Sequence, residues 1–103
     1  MLPVAYLLVS KPDYSEFISV CVDGSGFPSD YSVYLQRLAQ FADSVKKEGQ
    51  VAVEIPVTAA EFVAWCGPKG KRTDHNSRKE YAAFRNFQLN NQNNGSDYQE
   101  SLS

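Results

Sequence analysis

The sequence predicts an α+β fold: three helices packed on a three-stranded, mostly antiparallel sheet of order 2-1-3, in the element order β-β-α-β-α-α. Three features lead to it. Apolar runs at residues 3–10 and 16–23 are patterned like paired strands, residues 30–48 carry a helical stripe, and residues 51–57 alternate cleanly before two helix-start signals. A chain of 103 residues suits one domain, residues 1–89, with a core of its own. Hydrophobic residues make up 43% and aromatic residues 13%, so that core is expected to be built on Phe and Tyr as much as on aliphatics.

The first strand, PVAYLLVS, is apolar on both faces, the pattern of a central strand covered on both sides. Lys11-Pro12-Asp13-Tyr14-Ser15 reads as a turn, because Pro presets φ and Asp bonds nearby backbone. Residues 16–23 (EFISVCVD) then read as the second strand of a hairpin, Ile18, Val20 and Val22 alternating with Phe17, Ser19 and Cys21. After the Gly24–Pro28 break, a helix opens near Ser29 or Asp30. Tyr31, Tyr34, Leu35, Leu38, Phe41 and Val45 form its stripe, and Gly49 closes it.

In VAVEIPV, residues 51–57, Pro56 cannot donate to a ladder and marks an edge strand. A crossover from strand 2 puts this strand on the far side of strand 1. Thr58 and Glu61 make a capping box for a helix ending at Gly67-Pro68. A third helix is expected from Ser77 to Leu89, with Tyr81, Phe84 and Phe87 or Gln88 on its packed side. The Asn-rich stretch 90–103 is expected to be a disordered polar tail. No internal repeat is evident.

Charge is uneven. Residues 1–68 hold four Lys/Arg against eight Asp/Glu, whereas residues 69–85 hold six against two, a +4 segment in a chain of net charge −2. The overall balance gives no general attraction to nucleic acid or to an anionic membrane. No stretch reaches the roughly 20 apolar residues of a membrane span, and the apolar start lacks the marks of a signal peptide. Two cysteines, Cys21 and Cys66, make no disulfide framework and fit reduced thiols in the cytoplasm.

Trp65-Cys66-Gly67-Pro68 resembles the first four residues of the thioredoxin site, but Lys69 stands where the second cysteine would be. Cys66 also falls at a helix end rather than at a start that would activate it, so it reads as a core residue. His75, the one histidine, lacks an orienting third group for a Cys/His pair. Two cysteines and one histidine cannot close a tetrahedral metal site. Gly67–Thr73 departs from the spacing of a phosphate loop. No cofactor is expected.

The candidate partner-binding residues are therefore Lys69, Lys71, Arg72, His75, Arg78, Lys79 and Arg85. The expected function is a non-enzymatic regulator, adaptor or inhibitor docking on a larger protein, with a second copy of the chain as another partner. The alternative is a nucleic-acid binder using segment 69–85. Short one-domain proteins of this kind are common in phages and mobile elements, an expectation drawn from size alone.

Overall fold

The computed structural model describes residues 3–102, with side chains up to residue 90. Its elements are β1 (Pro3–Val9), α1 (Lys11–Val20), a short 3-10 turn (Gly24–Gly26), α2 (Tyr31–Lys47), β2 (Val51–Val57), α3 (Ala59–Cys66) and α4 (His75–Leu102). The sheet has two strands, β1 and β2, paired in parallel from Pro3↔Val51 to Val9↔Val57.

This corrects the expected three-stranded antiparallel sheet. Residues 11–20 form a helix, so the hairpin does not exist. Pro12 lies in the first turn of α1, where its missing N–H costs nothing, and Asp13 favours the positive helix start. Tyr14 and Phe17 point into the core from α1, and Cys21 follows just past its end, a spacing of three and four residues. The β-branched residues Ile18, Val20 and Val22 imitate strand alternation, but burial follows the helical period. With helices between the two strands, the connection is a crossover and the strands run parallel. The expected neighbour relation of 3–10 and 51–57 holds, but their direction is the reverse of that expected.

One face of the sheet is the heart of the core. Leu7 pairs with Ile55 and Val9 with Val57, and all four are buried. Phe17 of α1 and Phe62 of α3 stack with ring centroids 5.5 Å apart, at 1% and 0% exposure. α4 lies against β1 and buries Tyr81 and Ala82. The other face is half covered: Tyr6 meets Phe41 of α2 edge-on at 5.8 Å.

A two-stranded sheet has two free edges: α2 closes that of β1, and that of β2 is blunted by its own residues. The Tyr34 hydroxyl accepts from the Val9 amide at 3.1 Å and donates to the Leu7 carbonyl at 3.3 Å. One helical turn earlier, the Tyr31 hydroxyl donates to the Val9 carbonyl at 2.7 Å. Backbone groups alternate sides along a strand, so residues 7 and 9 face α2 while residues 4, 6 and 8 face β2. By the same alternation, β2 turns Ala52, Glu54 and Pro56 to its outer edge. Pro56 offers no donor there and Glu54 brings a charge, two recognised ways of blunting a strand edge.

The ends of α2 and α3 agree with the sequence. Asp30 caps α2 through the Ser32 amide at 2.9 Å. At its other end Gly49, at φ 79°, lets its own amide reach Lys46 O at 3.0 Å and that of Gln50 reach Val45 O at 3.1 Å. The Thr58–Glu61 capping box forms in both directions. Asp13 adds a contact across the fold, accepting from the Ala59 amide at 2.7 Å. The third expected start shifts: Asp74 caps α4 through the Ser77 amide at 3.0 Å, and Ser77 itself is buried. α4 runs past the end expected at Leu89 to Leu102, and the side chains of the Asn-rich stretch from residue 91 lie outside the described residues.

Candidate functional site

Segment 67–74 leaves α3 in a tight turn, Lys69 and Lys71 amides both bonding the Cys66 carbonyl. It is stitched to the end of α1. The Val22 amide donates to Thr73 O at 3.0 Å, and the Thr73 hydroxyl donates to Val20 O at 2.6 Å. The basic residues are thus held on an ordered ledge between α3 and α4.

The structure separates the seven candidates. Arg78 grips both carboxylate oxygens of Asp23 at 2.7 and 2.9 Å, and its guanidinium lies 4.8 Å from the Phe27 ring centre. Its side chain is only 15% exposed, so Arg78 fastens α4 to the segment after α1. The Arg78 bonds hold the Asp23 carboxyl below the usual carboxylate range. Arg85 donates to Gln88 Oε1 at 2.6 Å along its own helix. Lys71 pairs with Glu80 at 2.7 Å in a solvated contact worth about 0–1 kcal/mol. Lys69 makes neither of the ion pairs formed among the described residues; its ammonium stands 5.0 Å from the Trp65 ring centre and 6.0 Å from that of Phe84. Arg72, His75 and Lys79 are exposed.

Beside the lysines lies an aromatic surface that the sequence assigned to the core. Phe84 is 38% and Phe87 65% exposed, while α4 packs through Ser77, Tyr81 and Ala82. A helix turns about 100° per residue, so Ala82 and Phe87 flank Tyr81 on opposite sides and cannot share one packed stripe. The sequence carries no signal for this, because Tyr81, Phe84 and Phe87 by themselves fit one helical stripe and the burial of Ala82 is set by tertiary packing. Trp65 bridges core and surface, its ring 5.3 Å from Tyr81 and 6.0 Å from Phe84.

Both thiols are buried, and burial pushes the pKa of each upward. Cys66 turns its sulfur toward the Arg72 carbonyl at 4.0 Å. No group of three or more metal-ligating side chains exists among the described residues. An open depression of about 610 Å³ lies between the starts of α1 and α2, edged by Lys11, Tyr14, Asp30, Tyr31 and Leu35. Three of its polar groups already have partners: Asp30 caps α2, and the Tyr14 and Tyr31 hydroxyls bond the Pro28 and Val9 carbonyls. Among the described residues no helix is long and apolar enough to cross a membrane.

Comparison with protein families, curated proteins and solved structures finds no match to this chain.

Proposed function

We propose that this protein acts by binding, docking on a larger protein in the cytoplasm and performing no catalysis of its own. The observation that carries the reading is the exposure of Phe84, which lies against Trp65, and of Phe87 three residues further along α4. Aromatic side chains left in water cost free energy that a protein interface recovers, and aromatic residues are enriched in such interfaces. The buried thiols, with their raised pKa values, favour a binding role over nucleophilic chemistry.

The nucleic-acid reading has less support. Phosphate recognition needs a row of available cations, and the Arg78 guanidinium is taken up by Asp23.

The test is purification of the tagged full chain from its native cells after brief cross-linking, with nuclease treatment. A protein retained in fixed stoichiometry, nuclease-resistant and stable to moderate salt, is expected. Retention of nucleic acid in its place, or of no stoichiometric protein, would overturn the reading.

A further inference from the structure

We propose that Trp65, Phe84 and Phe87, bordered by Lys69 and Lys71, form a docking site for an acidic amphipathic helix of a partner protein. The proposal rests on the binding reading above and gives it a surface and a ligand chemistry.

The site combines two features that are unhelpful to a free protein and useful together. The first is apolar surface in water: Phe87 at 65% and Phe84 at 38% exposure, spaced three residues apart on α4 and continued by Trp65. A row of this spacing matches the anchors of a helix laid alongside. The second is cationic charge fixed at its border. Contact with Trp65 and Phe84 positions the Lys69 ammonium without neutralising it. Lys71 stands 5.9 Å from the Trp65 ring centre, and its partner Glu80 is exposed, so an incoming carboxylate can take that place.

Charge selects the occupant. With Arg78 neutralised by Asp23, segment 69–85 keeps a net positive charge that includes Lys69, Arg72 and Lys79 while residues 1–68 are net acidic, so an acidic segment is drawn to this ledge. The fold selects its shape. The outer edge of β1 is closed by Tyr31 and Tyr34, and that of β2 is interrupted by Pro56, which disfavours an added strand. Single-stranded nucleic acid fits less well, because Arg78 is bound to Asp23 with its side chain 15% exposed and leaves a gap among the cations that would track a phosphate backbone.

Trp65 is the only tryptophan, so its fluorescence reports on this site alone. The full chain is titrated with three probes. They are a synthetic helical peptide with Leu at positions i, i+3, i+4 and i+7 and Glu elsewhere, the same peptide with Lys in place of Glu, and a thymidine oligonucleotide. A saturable change in Trp65 emission with the Glu peptide, and none with the Lys peptide, is expected. The double change Lys69→Glu and Lys71→Glu should weaken binding at least about tenfold while circular dichroism stays unchanged. Phe87→Ser, at a solvent-facing position, should weaken it as well. Equal response to both peptides, tighter binding of the oligonucleotide, self-association that accounts for the emission change, or no response to any probe would each overturn the proposal. If these variants still retain the partner captured from cells, this surface is wrong while the binding reading stands.

Discussion

Tyr34 shows how one side chain can do the work of a missing strand. Its hydroxyl takes a donor and an acceptor from β1 that water cannot reach once the core closes. Burial pushes its pKa from the ordinary 10.0 to about 12, because the charged phenolate would sit among aromatic rings. The neutral form is thus favoured in the folded chain. This contribution is complete below pH 10 and is lost as pH rises toward 12. Tyr34→Phe should lower stability at pH 7 by about 1–3 kcal/mol, since the Val9 amide is left unpaired. It should also flatten the alkaline loss between pH 10 and 12 in urea melts. A neutral-pH stability equal to wild type would mean that water replaces the hydroxyl. Asp23 works at the other end of the scale. Its depressed carboxyl favours the folded state above the usual carboxylate range, and that advantage fades as pH falls through it.

At the level of elements, β1–α1 and β2–α3 are two units of the same plan. Val9 pairs with Val57, Ser10 and Thr58 follow at the N-cap positions, Thr58 alone of the two with a side-chain cap bond, and Asp13 and Glu61 occupy the same helical position. Glu61 closes its own box, whereas Asp13 crosses to the Ala59 amide and ties the two units together. Asp13→Ala should therefore destabilise by about 1 kcal/mol, mainly through a loss at α3 and less at α1. Amide exchange that speeds up at residues 59–62 is the expected signature; faster exchange confined to α1 would contradict it. Much of this level was legible in the sequence. Asp30, Gly49 and the Thr58–Glu61 pair announce helix ends through local chemistry, which tertiary contacts do not override. Residues 11–23 were misleading because β-branched side chains alternate there by coincidence and Pro12 suits a turn as well as a first helical turn. The candidate site was half legible. Its charge run stood out, but the ties that engage Arg78 and Lys71, and the exposure of Phe87, depend on which face of α4 meets the core.

For the whole molecule, the parallel pairing joins residues 48 positions apart, from Pro3↔Val51 to Val9↔Val57. The tyrosines that close the other edge of β1 are nearer in the chain, with contacts spanning 22 to 27 residues. Closing the shorter loop costs less entropy, and during synthesis α2 leaves the ribosome before β2 exists. β1 therefore acquires a chaperone from its own chain: α2 guards its exposed edge while the true partner strand is still being made. Tyr34→Phe should consequently slow refolding more than it speeds unfolding in stopped-flow measurements, whereas Val53→Ala in β2 should act mainly on unfolding. If the two variants exchange these signatures, β2 pairs first and the guard arrives late.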